Sequence, residues 1–112
     1  MVVTTAGKNR ILNLIDGVLD VGELGLSSQT PAITDTDLIL GSITTSASVS
    51  GTVTGKQLAI DYNLNSVTGN GLTYVEYGTF LSDGTLLDRA VFTGVPKTAS
   101  IELNVKTILN ID

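Results

Sequence analysis

Apolar and polar positions alternate with a period of two through much of this chain. In Gln57-Leu58-Ala59-Ile60-Asp61-Tyr62-Asn63-Leu64, the side chains of Leu58, Ile60, Tyr62 and Leu64 share one side, the mark of a strand with a buried face. The last segment repeats the pattern, with Ile101, Leu103 and Val105 inward and Glu102, Asn104 and Lys106 outward, and is expected to continue to Ile111. Val18 to Leu26 reads as a third strand with Leu19, Val21 and Glu23 on one side, weakened by Gly22 and Gly25. Near the start the period changes. Ile11, Leu12, Leu14 and Ile15 form the stripe of a helix that opens at Thr5-Ala6-Gly7-Lys8 and stops at Asp16-Gly17. About three turns of helix are not stable alone, so this one must dock onto something. Met1 to Thr5 reads as a short extended arm.

The strongest local signal is YVEYGTFLSDGTLLDRAVF, from Tyr74 to Phe92, where two β-prone runs flank Asp83-Gly84. A two-residue turn at Asp83 and Gly84 sets Leu81 opposite Leu86, Phe80 opposite Leu87, Gly78 opposite Arg89 and Tyr77 opposite Ala90. One face then carries Val75, Tyr77, Leu81, Leu86, Ala90 and Phe92, with Thr79 and Asp88 among them. The other carries Tyr74, Phe80, Leu87 and Val91, with Glu76 diagonal to Arg89 and within reach of a charge pair. A hairpin with one wet face is polar on that side. This one is apolar on both, so one face is expected in the core and the other under a helix, an arm or a second subunit. Tyr74, Phe80, Leu87 and Val91, with Ile11, Leu12 and Ile15 of the helix, are the candidate interface residues.

Between these elements lie turn signals. Ser27 to Asp37 is rich in Ser, Thr and Asp around Pro31, residues that turn the backbone and bond to it locally. Leu38 to Leu40 resumes an apolar run. Gly41 to Gly55 is a Ser/Thr/Gly/Val tract that fits a pair of short strands or a surface loop. Asn65 to Gly71 is a turn, and Thr93 to Thr98 a connection through Pro96. About seven strands and one short N-terminal helix follow, an all-β chain of the β-sandwich or jelly-roll type. A single domain spans 1–112, with arm and helix in 1–17 and the β-sandwich in 18–112. The order of the strands does not follow from the pattern.

Composition narrows the function. The net charge of −5 and pI near 4.3 argue against a nucleic-acid or anionic-membrane surface, which needs clustered Lys and Arg. No histidine or cysteine is present, so the usual general bases, thiol nucleophiles and transition-metal ligands are missing and no disulfide forms. Asp35 with Asp37, or Asp16 and Asp20 with Glu23, lack the number and spacing of oxygen ligands that a calcium loop needs. Turn chemistry is the expected role of Asp35 and Asp37. Glu76 and Asp88, as a glycosidase pair, fall on opposite faces of the hairpin. Four of the five aromatic residues lie where packing in the core explains them. An enzyme is not expected, nor a cofactor or metal. Met1 to Thr5 lacks the charged start and apolar run of a signal peptide, so export by a cleaved signal is not expected either.

Three blocks resemble a group of small tailed-bacteriophage virion proteins, described as tail-fibre or virion structural proteins. The first is Thr5-Ala6-Gly7-Lys8-Asn9-Arg10-Ile11. The second is Leu24-Gly25, Pro31-Ala32 and Thr34-Asp35-Thr36-Asp37-Leu38, similar to that family's Leu-Gly-Thr-Gly leading into Pro-Ala-Ala-Thr-Asp-Thr. The third is Glu76, Gly78, Phe80, Asp83-Gly84-Thr85-Leu86-Leu87 and Arg89-Ala90-Val91-Phe92, followed by Lys97-Thr98. The blocks span nearly the whole chain in order. Leu26-Ser27-Ser28 and Thr79 depart from the pattern, and no rod or receptor-binding domain follows before Asp112. The resemblance implies a non-enzymatic virion part located on the particle, assembled in the host cytoplasm. Its first reading is a capsid decoration (cement) protein, a homo-oligomer, foremost a trimer, seated on the major capsid protein. A tail-fibre or baseplate attachment module bound to tail components is the alternative. A carbohydrate-binding module or cellular surface-fibre subunit stands further off, because aromatic content is 4% and no export signal is seen.

Overall fold

The structure, a computed structural model, describes residues 1–38 and 46–112. Among the described residues, six antiparallel strands and one N-terminal helix make an all-β fold, the class that the alternation implies. The elements are α1 (Thr5–Asp16), β1 (Leu19–Gly25), β2 (Ala47–Thr54), β3 (Gln57–Leu64), β4 (Thr73–Leu81), β5 (Leu86–Pro96) and β6 (Leu103–Asn110). They form one curled sheet in the order β5-β4-β1-β2-β3-β6, so of the sandwich expectation the all-β class with a short helix is what holds. The tract expected to give two strands or a loop contributes one strand, β2. Its first part, and the end of the apolar run expected at Leu38 to Leu40, fall outside the described residues.

Among the described residues β1 and β2 pair through Val21 with Ser48 and Gly22 with Ala47. To one side β1 runs along β4, and to the other β2 and β3 form a regular hairpin that continues into β6. Curling brings the inner faces together. Leu24 of β1, Tyr62 and Leu64 of β3, Tyr74 and Tyr77 of β4, and Leu103 of β6 form the main buried cluster. A second cluster continues along the same face of β3, where Leu58 and Ile60 receive Leu12 of α1, with Ile15, Leu19, Leu87 and Leu109 around them. The helix thus docks on its own sheet. It begins where the Thr4 hydroxyl accepts the Gly7 N–H at 3.0 Å, satisfying one of the donors left open at a helix start. Asn9 Nδ2 donates to the Gly55 carbonyl at 2.9 Å and fixes the helix start over the β2–β3 turn.

The hairpin exists with a different turn. Tyr77 opposite Ala90 and Gly78 opposite Arg89 are as read from the sequence. Phe80, however, pairs with Leu86, and the register shifts between Thr79 and Phe80. Gly84 N–H donates to the Leu81 carbonyl at 2.9 Å and Leu81 N–H to the Thr85 carbonyl at 2.8 Å. Within this turn only Gly84 has positive φ, at 88°, and among the described residues no non-glycine residue does. The loop is therefore Ser82-Asp83-Gly84, a three-residue turn closed by a glycine bulge, not the two-residue turn with both central residues left-handed. Asp83 stabilises it from outside by accepting the Thr85 N–H at 2.9 Å, and hydrogen bonding to the Thr85 side chain, then to its backbone, holds the Asp83 carboxyl below the ordinary range. A second shift, between Leu19 and Val21 in β1, breaks the face expected to hold Leu19, Val21 and Glu23. Gly22, Leu24 and Gly25 are the buried residues beyond it.

Candidate interaction surfaces

Arg89 organises the outer side of β4 and β5. Its guanidinium is buried, with Nε 2.6 Å from Glu76 Oε2, NH1 3.2 Å from Asp35 Oδ2 and NH2 donating to the Gln29 carbonyl at 2.8 Å. The charge pair of Glu76 with Arg89 is the diagonal one that the sequence implies. Asp35 and Gln29 are additions it does not reveal, since more than fifty residues separate them from Arg89. Together they tie the segment 29–35 across the sheet. Asp35 also accepts the Ala32 N–H, and Asp37 accepts the Leu38 N–H, so both carry out turn chemistry. Burial, and then the charge of Asp37, push the Glu23 carboxyl up. Lys97, also buried, donates to Asn70 Oδ1 at 2.7 Å and to the Thr98 carbonyl at 3.2 Å. Arg89, Asp35, Asp37 and Lys97 are each bonded to a backbone group that they hold in place.

The sequence-derived interface residues divide. Leu12, Tyr74 and Phe80 are buried in the chain's own core. Tyr74 donates its hydroxyl to the Gly69 carbonyl at 2.8 Å. Ile15 and Leu87 are half-buried against the second cluster, and Val91 is half-buried beside Glu76 in the ladder. Ile11 is exposed, and with Leu14 and Val18 it continues a stripe on the outer side of the helix and the residue leading into β1. Met1 and Val2 of the arm are exposed as well, and Val3 in part. The second apolar face of the hairpin is thus covered largely from within, and most of the exposed large apolar residues lie in the arm, in α1 and at Val18, with Ile33, Val67 and Ile108 exposed elsewhere.

A further surface could not be read from the sequence. Because β5 and β6 end the strand order, among the described residues each pairs on one side only, β5 with β4 and β6 with β3. The curl turns these two edges toward each other without hydrogen bonds between them. An open groove of about 440 Å³ lies at this seam, lined by Phe92 and Val95 of β5 and by Leu103, Val105 and neighbouring residues of β6. Its floor is the edge of the main cluster. Local sequence shows the strands but not their order, so the seam leaves no signal there.

Among the described residues, no group of three or more acidic side chains is placed to hold a metal ion, and no helix is long and apolar enough to cross a membrane. Compared with protein families, with curated proteins and with solved structures, the chain matches none of them.

Proposed function

We propose that this chain is a non-enzymatic structural subunit of a tailed-phage virion, acting as a homo-oligomer that decorates the capsid surface. The observation that carries the reading is the coincidence of two strand edges unpaired among the described residues with an exposed apolar arm and helix stripe on a small acidic β-domain. Unpaired edges and contiguous apolar surface are liabilities for a monomer and serve as joints in an assembly. The internal charges support the same reading, because Arg89 and Lys97 are spent on holding connections in place. The ordered resemblance of three sequence blocks supplies the phage context. It also favours the second reading, a tail-fibre or baseplate attachment module.

Gold-labelled antibody against the chain, applied to purified particles of a tailed phage that carries its gene, tests the proposal. Label distributed over the head is the expected result. Label confined to the tail selects the second reading, and unlabelled particles overturn both.

A further inference from the structure

Resting on that reading of an assembling subunit, we infer that the joint between copies is a strand exchange, in which Met1–Thr4 of one copy lies in the β5–β6 groove of another. Three features meet in this assignment. The groove is an apolar trough between two strand edges whose outward N–H and C=O groups pair with no strand among the described residues, the setting in which an extended segment adds to a sheet. The arm is such a segment: Thr4 is extended, at φ −71° and ψ 162°, and Met1, Val2 and Val3 present apolar side chains to solvent. Charge favours the pairing as well. Residues 1–15 contain Lys8 and Arg10 and no acid, which leaves −7 for the remainder of a chain with net charge −5. The basic end of one copy therefore meets the acidic β-domain of the next.

Reach identifies the second copy as the donor. Asn9 is bonded to Gly55, whereas the groove begins near Lys106, which pairs with Asp61. Six strand residues separate those levels, about 20 Å at 3.3 Å per residue. Four residues extend at most about 14 Å. Moreover, α1 points its other end toward the groove, since Asp16 packs at Gly51, which pairs with Ile60. Met1–Thr4 cannot lie in the groove of the same chain. The contact joins unlike surfaces, so it closes either as a reciprocal pair or as a ring.

The absence of cysteine gives a clean test. Val3→Cys and Val105→Cys are purified separately, mixed and oxidised, and the mixed disulfide dimer is measured by mass. Val3→Cys mixed with Val67→Cys, whose thiol sits on the exposed 65–72 turn, serves as the reference. The expected result is a Val3–Val105 dimer several-fold above the reference, and a yield no higher than the reference overturns the exchange. Sedimentation of the unaltered chain separates the two levels of the account. Association without the Val3–Val105 dimer defeats this joint and leaves the assembling subunit standing, while absence of association defeats both.

Discussion

The rings of Tyr62 and Tyr77 meet edge to face above Gly22, with centroids 5.3 Å apart and planes inclined at 62°. One ring comes from β3 and the other from β4, strands separated in the sheet by β1 and β2. Their contact is possible only because the sheet curls and β1 offers no side chain beneath them. A Cβ at Gly22 would stand 2.5 Å from Tyr62 Cδ2 and 2.7 Å from the Tyr77 hydroxyl. Gly22→Ala must push the rings apart, at a cost of about 1 to 3 kcal/mol for overpacking. Thermal unfolding should show a melting temperature lower by several degrees, and an unchanged one would refute the closure described.

The same tyrosine gives a pH dependence. Burial, reinforced by the charge of Asp88 and opposed by the hydrogen bond with Thr79, raises Tyr77 from the ordinary 10.0 to about 12. Between these values the unfolded chain has lost a proton that the folded chain keeps. Stability therefore falls as pH rises from 10 towards 12, by up to about 1.4 kcal/mol per unit, and this group contributes no change below that window. Denaturant titrations of the wild type and Tyr77→Phe should diverge only there, with the wild type losing more. Parallel curves would show that Tyr77 is not buried as described.

Arg89→Leu should be severe. It leaves the buried Glu76 carboxylate without its guanidinium and releases Gln29 and Asp35 together. Breaking one side of a buried ion pair costs about 3 to 5 kcal/mol. Limited proteolysis should then cut within 27–38 before it cuts the β-domain. Cleavage at wild-type rates would show that Arg89 does not tie down this segment.

Much of this was legible in the sequence because it depends on short-range pattern. The alternation in β3 and β6, the helical stripe of α1 and the hairpin about Asp83-Gly84 are each encoded within a dozen residues. The turn type was missed because Asp-Gly serves both a two-residue turn and a three-residue loop with a glycine bulge. Only the backbone decides that Asp83 stays at negative φ. The face of β1 was missed because a bulge resets alternation without changing composition. The Arg89 latch and the β5–β6 seam depend on which distant segments become neighbours, which follows from strand order.

Gly84→Val tests the corrected turn. Nothing lies within 4 Å of a Cβ built at Gly84, so there is no clash and only the left-handed backbone at φ 88° resists the substitution. A β-branched residue there costs about 1 to 3 kcal/mol. Asp83→Ala should lose only the bond to Thr85 and cost less. Equal losses from the two variants in chemical denaturation would contradict a turn with a single left-handed position.

The claim on which the functional account rests is that the folded chain assembles. Sedimentation velocity of the full chain over a wide concentration range measures this directly. The account requires the sedimentation coefficient to rise with concentration toward a defined oligomer, and Val3→Asp, which places a charge on the exposed arm, to shift the profile toward monomer without lowering the melting temperature. A single monomeric species at every concentration, with no binding to phage particles, would contradict it.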